Sequence, residues 1–251
     1  MSYGYFSNDP RLYVIPERLK NVGYVIPVLS PKGGVGKTVV SAALALTLSE
    51  LGFKVGVLDL DLTNPSQHIL FDVELREMPE EDRGVKPPEY FGVKLMSVAF
   101  YSRGNPLPLR GWEATNVIRE VLAITLWDTL EYLVIDTPPG LTDPVLEILT
   151  LVKNPKPLII TTASQFSINA LKTILTILKE LNVRPVGVIE NMSSKPSNDV
   201  KEICEKYEVR YLSNVPYDQT LNASLKLPEF QQTRFFTSMR DIATKIPEIL
   251  T

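Results

Sequence analysis

The sequence predicts an α/β fold: a single doubly wound, mostly parallel sheet flanked by helices. Three observations predict it. Short apolar runs rich in Val, Ile and Leu recur along the chain and mostly do not alternate with polar residues, the pattern of strands buried on both faces. Segments with helical periodicity lie between them. A glycine-rich turn, Lys32 to Thr38, joins the first apolar run to the first helical one. Strand–helix alternation places ligands at the carboxyl ends of the strands.

In chain order, Met1 to Arg11 is polar and aromatic with no apolar h-region, so no secretory signal is expected. Residues 1–21 read as an N-terminal extension of one domain, 1–251. Tyr24–Ser30 is the first strand. The turn Lys32-Gly33-Gly34-Val35-Gly36-Lys37-Thr38 follows, then a helical run from Val39 to Glu50. Lys54–Asp59 is the second strand. Residues two apart on a strand face one side, so Asp59 and Asp61 are both expected to face the turn. Asp72 to Tyr90, acidic and proline-containing, reads as a surface loop (72–91). Val93–Ala99 is a strand, and Asn116–Leu130 a helix with Val117, Val121, Leu122 and Leu126 on one face. Tyr132–Asp136, Pro157–Thr162 and Pro185–Glu190 are strands, with helix Ile168–Leu181 between the last two. Arg234–Ile249 places Phe235, Met239, Ile242 and Ile246 on one helical face, expected to pack onto the sheet rather than lie on a membrane.

The 251 residues are 44% hydrophobic with a mean hydropathy of +0.03. That supplies a core but no transmembrane helix, which needs about 20 apolar residues in a row. A single cysteine, Cys204, excludes an intrachain disulfide and fits a reducing compartment, so a cytoplasmic protein is expected. A net charge of −3 argues against general affinity for DNA.

The chemistry concentrates at strand ends. Glycines let backbone N–H groups face an anion without a Cβ in the way, and the helix N-terminus adds a favourable dipole. Gly33, Gly34, Val35, Gly36, Lys37 and Thr38 therefore form a candidate nucleotide cradle. Lys37 would reach the β/γ-phosphates and the Thr38 hydroxyl would ligate Mg²⁺. The first glycine of the usual G-x-x-x-x-G-K-[ST] pattern is replaced by Pro31, and an extra lysine, Lys32, precedes Gly33: a deviant Walker A. Asp136, at the end of an apolar strand, is a Walker B aspartate holding Mg²⁺ through water. Asp61 is the candidate for orienting the attacking water, and Asp59 for supporting the metal shell or a lysine. Each aspartate alone could equally be a helix N-cap. Asn191 either meets a purine edge or forms a turn. No Asn-Lys-x-Asp guanine motif is present.

Several blocks carry a family resemblance: the deviant P-loop, Asp59-Leu60-Asp61-Leu62-Thr63-Asn64-Pro65-Ser66, Gly92 to Ser97, Leu109-Arg110-Gly111, Trp127 to Tyr132, Asp136-Thr137-Pro138-Pro139-Gly140 with Asp143, and Val183 to Ser193. Over Glu17 to about Leu225 the chain resembles the Mrp/ApbC family of MinD/ParA-class P-loop ATPases, many of which carry iron–sulfur clusters. The resemblance implies an ATP-sandwiched homodimer in which Lys32 acts in trans, Lys37 and Thr38 act in cis, Asp61 activates water and Asn191 contacts adenine. Cluster-carrying members have a Cys-x-x-Cys pair soon after the Asn-Met-Ser segment. Here Ser193 to Asp199 has no cysteine and Cys204 stands alone. Two subunits would offer two thiolates where a cluster normally takes four, so no stable cluster is expected and Cys204 reads as a small buried hydrophobe.

The expected function is a slow, Mg²⁺-dependent ATPase switch with ATP at a dimer interface and an unidentified protein client, which could be an iron–sulfur protein. The alternative is a MinD/ParA-type positioning ATPase that binds a surface or DNA in its ATP state. A small-molecule kinase or ligase, like relatives of dethiobiotin synthetase, is a third reading that Lys32 disfavours.

Overall fold

A computed structural model describes residues 9–75, 78–107, 109, 111–222 and 226–251. Part of the N-terminal extension (1–8), Arg110 and Leu225 lie outside the described residues. The chain opens with α1 (Arg11–Leu19), β1 (Val22–Leu29) and α2 (Lys37–Glu50). Next come β2 (Val55–Asp59), the short α3 (Gln67–Leu70), β3 (Glu80–Glu81), β4 (Val85–Lys86) and β5 (Glu89–Tyr90). The middle holds β6 (Val93–Ser97), α4 (Ala99–Ser102), α5 (Trp112–Ile124), β7 (Leu130–Asp136) and α6 (Asp143–Leu151). The last part is β8 (Leu158–Thr161), α7 (Gln165–Glu180), β9 (Gly187–Asn191), α8 (Asn198–Lys206), β10 (Tyr211–Val215), α9 (Arg234–Ala243) and α10 (Ile246–Leu250).

An eight-stranded sheet in the order β10-β9-β8-β1-β7-β2-β6-β5 is the centre of the molecule. Every pairing is parallel except β5 with β6. Every residue of β2, β8 and β9 is buried, which is why their sequences do not alternate. The chain passes from β1 to one side of the sheet and later crosses to β8 on the other. The topological switch therefore falls at β1, where ligands are expected in such sheets. Register sets the chemistry. Val28 on β1 is opposite Asp136 on β7, Asp136 is opposite Asp59 on β2, and Asp59 is opposite Ser97 on β6. One transverse row thus carries two carboxylates and a hydroxyl.

Several segments depart from the sequence expectations. The stretch read as a loop over 72–91 contains the β3–β4 hairpin and the edge strand β5. It is held inward at Val85, which is buried and whose carbonyl accepts from Leu126 N at 2.8 Å. The helix read as Asn116–Leu130 is instead Trp112–Ile124. Thr125 turns extended, Leu126 is drawn to Val85, and Leu130 already belongs to β7. The expected extension contains α1, whose Ile15 and Leu19 are buried and whose Arg18 Nε donates to Ala123 O at 2.8 Å. Strand β10 has no apolar run to mark it. It is a half-buried edge strand with Ser213 and Asn214 at its centre. The predicted C-terminal face is present: Phe235, Met239, Ile242 and Ile246 are all buried, with α9 against α2 and β10.

Close packing leaves Gly56 in β2 no room for a side chain. A Cβ there would sit 2.7 Å from Leu130 Cδ1 and 2.8 Å from Trp127 Cζ3, and Trp127 is fully buried. Gly56→Ala should lower the stability of the protein by about 1–3 kcal/mol through overpacking. The denaturant midpoint should fall while the slope of the transition stays constant.

Candidate nucleotide and metal site

The cradle follows β1. Gly34 and Gly36 have φ of +76° and +85°, a region costly for other residues. At Gly36 a Cβ would also collide with the Asn191 side-chain amide. That amide donates to Val35 O at 2.8 Å from a position 2% exposed, so Asn191 braces the loop from the end of β9. Thr137 Oγ1 donates to Val28 O at 2.7 Å and Gly140 N to Ser30 O at 3.2 Å. These bonds tie the segment after β7 to the base of the cradle. Gly33, Gly34 and Lys32 are exposed, and Lys32 makes no ion pair among the described residues.

Lys37 begins α2 and is 7% exposed. Its Nζ lies 2.5 Å from Asp136 Oδ1, and Asp136 is fully buried. Asp136 Oδ2 accepts from Gln67 Nε2 at 3.0 Å, and the same nitrogen donates to Thr38 O at 3.0 Å. Asp59, also fully buried, accepts at Oδ1 from Asp61 N (3.2 Å) and at Oδ2 from Gln67 N (3.1 Å) and Ser97 Oγ (3.0 Å). Burial, then the neighbouring Asp136 charge, push the Asp59 carboxyl up to about 7 against the opposing effect of those donors. The single lysine pairs with Asp136, and Asp59 has no ion pair among the described residues.

Asp61 does not share a strand face with Asp59, because β2 ends at Asp59. Its Oδ1 accepts from Thr63 N (3.1 Å), Thr63 Oγ1 (2.7 Å) and Asn64 N (3.1 Å), closing its own turn. Among the described residues no three His, Cys, Asp or Glu side chains form a metal-binding group. Magnesium at phosphate sites relies on one or two protein oxygens, water and phosphate. The Thr38 hydroxyl and the Asp136 carboxylate suit that mode.

Two features escaped sequence reading. Gln67 joins Thr38, Asp59 and Asp136, yet a glutamine in an unremarkable polar stretch carries no motif. A cavity of about 250 Å³ opens beside the cradle, lined by Gly34, Gly36, Val39, Asn191, Met192 and Tyr217 among others. Its far wall, Pro216 to Asp218, follows the strand β10 that the sequence did not reveal. Cys204 is buried on α8, where burial and then the charges of Glu190 and Glu205 push its thiol up to about 11.

The family model for ParA, described as NUBPL iron-transfer P-loop NTPase, matches residues 21–246. The cytosolic Fe-S cluster assembly factor CFD1 of Kluyveromyces lactis is 35% identical over 94% of this chain and 90% of its own length. The cytosolic Fe-S cluster assembly factor Nubp2 homolog of Drosophila simulans is 40% identical over 70% of each chain. Among solved structures, a nucleotide-binding protein from Archaeoglobus fulgidus in complex with ADP superposes with a TM-score of 0.71 at 27% identity, covering 94% of this chain and 93% of that one. The septum site-determining protein MinD of Pyrococcus horikoshii, complexed with Mg-ADP, shares the fold with a TM-score of 0.67 at 17% identity, over 90% and 97%.

Gln67→Leu should leave Asp136 Oδ2 and Thr38 O short of a buried donor. We expect a loss of about 1–3 kcal/mol of stability in the nucleotide-free protein, measured by chemical denaturation. A variant as stable as the parent would mean that water replaces the amide.

Proposed function

We propose that this chain, which belongs to the ParA/NUBPL iron-transfer family of P-loop NTPases, is a slow Mg²⁺-dependent ATPase that acts as an ATP-sandwiched homodimer in iron–sulfur cluster assembly. The observation that carries the reading is the buried Lys37–Asp136 pair at the foot of the glycine cradle. The phosphate-binding lysine rests on the Walker B carboxylate, so the two groups are already together. A triphosphate gives Lys37 a second anionic partner and frees Asp136.

The chain's own residues divide the work. Backbone N–H groups of Gly33 to Thr38 receive the phosphates, and Lys37 neutralises the β/γ oxygens. Thr38 and Asp136 would hold a Mg²⁺ ion, which supplies further charge neutralisation there. Asp59 supports that shell from behind, since its own oxygens are occupied by Asp61 N, Gln67 N and Ser97 Oγ. Asp61 orients the attacking water once its turn opens toward the phosphates. Lys32, exposed and without an ion pair among the described residues, reaches the nucleotide of the other subunit. Asn191 and the adjoining cavity take the adenine side, with no guanine motif to favour GTP.

The relatives' names support an iron–sulfur protein as client and the cytosol as location. The chain itself is poorly equipped to hold a cluster. Its only cysteine is buried and its thiol is held protonated at neutral pH. Cluster ligands therefore come from elsewhere in the assembly. The positioning alternative has less support, because the apolar face of α9 is committed to packing. No helix among the described residues is long and apolar enough to cross a membrane.

Lys37→Ala should weaken ATP binding roughly 10- to 100-fold, the worth of a charge-assisted contact, by calorimetry at constant magnesium. Unchanged affinity in a variant with a native melting profile would refute the assignment.

Lys32→Ala should bind ATP but fail to hydrolyse it. Mixing it with Asp61→Ala protein should recover turnover, because one of the two sites in the heterodimer then has Lys32 from one subunit and Asp61 from the other. Proven heterodimers with no recovered turnover would place Lys32 in its own subunit's chemistry or outside the chemistry altogether.

A further inference from the structure

A second, larger concavity, of about 670 Å³, lies where α7 and α8 end and β9 and β10 begin. Lys156, Lys179, Arg184, Lys206 and Arg210 line it, against a single acid, Glu208. Five cations face one carboxylate in a chain whose net charge is −3. All but Lys156 are exposed, and none forms an ion pair among the described residues. The floor is apolar, with Leu175, Leu178 and Val186 buried beneath the rim.

The surrounding backbone decides what class of anion fits. The concavity receives the C-terminal ends of α7 and α8, which close at Leu181 and Tyr207. Helix C-termini carry partial negative charge, and compact phosphates bind at the opposite ends of helices. The five cations also come from separate segments: Lys179 from α7, Lys206 from α8, and Lys156, Arg184 and Arg210 from the turns that lead into β8, β9 and β10. Long side chains around an apolar floor suit charge spread along an extended ligand, with apolar groups between the charges. We propose that this groove docks an acidic segment of a partner protein, one that interleaves carboxylates with apolar anchors.

The inference does not rest on the nucleotide reading. β9 begins beside the groove at Gly187 and ends beside the cradle at Asn191, roughly 13 Å away at strand rise. A docked segment therefore leaves the cradle open.

The test is fluorescence anisotropy with the full chain and a labelled synthetic peptide that alternates glutamate with leucine. We expect saturable binding that weakens about tenfold between about 50 and 300 mM salt. Arg184→Glu with Arg210→Glu should weaken it at least about tenfold, and Lys179→Glu with Lys206→Glu should do the same from the helix side. Arg184→Lys with Arg210→Lys should keep most of the affinity. Unchanged ATP binding by each variant shows that the fold and the nucleotide site are intact. Equal peptide affinity in both charge-reversed proteins would overturn the proposal. So would displacement of the peptide by equimolar inorganic tripolyphosphate, which would make the groove a phosphate site. A glutamate–serine peptide that binds as well as the glutamate–leucine one would also overturn it, since the apolar floor would then contribute nothing.

Discussion

Two aligned carboxylates, Asp59 and Asp136, create the constraint around which the nucleotide site is built. Parallel pairing sets them side by side on β2 and β7, fully buried. A buried charge left without a partner is costly enough to unfold a marginal domain. Lys37 therefore has to arrive from the first turn of α2, and it does so only if the loop before it takes the observed path. That path needs left-handed glycines at 34 and 36 and the Asn191 amide behind the loop. The site and the stability of the central sheet are thus one problem in electrostatics.

The same row ties the site to the turn that carries Asp61. Asp59 accepts from Asp61 N with one oxygen and from Gln67 N with the other. It holds both ends of the segment that carries Asp61. Gln67 then extends the connection to Asp136 and Thr38 through its side chain. A change in the charge around Asp136 is felt at Gln67 directly and at the Asp61 turn through Asp59.

Much of this was legible in sequence, and the exceptions have physical reasons. Strands buried on both faces announce themselves by continuous apolar runs, so β1, β2, β6, β7, β8 and β9 were readable. β10 was not, because a half-buried edge strand tolerates Ser213 and Asn214. The 72–91 stretch looks like a loop because its two-residue strands are too short for periodicity. Lys32, Lys37, Thr38 and Asp136 could be placed from the strand–loop–helix and strand-end patterns. The strand-face argument for Asp61 fails because β2 ends two residues before it, and period-two reasoning holds only within a strand. Gln67 had no sequence signal, since its importance comes from what three distant segments bring to it.

The segment from Ser193 to Asp199 carries no cysteine. It is fastened by polar contacts: Ser193 N to Val215 O, Asn214 Nδ2 to Ser193 O, and Ser197 N to the buried Glu190. Tyr211 donates to the same Glu190 oxygen, and Cys204 lies close enough for that carboxylate to raise its thiol. Burial first, and then the neighbouring carboxylates, stabilise the protonated thiol and oppose the thiolate that iron requires. The candidate nucleotide site is different: its lysine and its Walker B carboxylate are already paired. On the proposed reading, the ATP-driven step and the cluster ligands reside in different chains, and function depends on recruiting a partner. The cationic groove lies beyond the other end of β9, where recruitment would not obstruct the cradle. Nucleotide chemistry and partner docking then occupy opposite ends of the same buried strands.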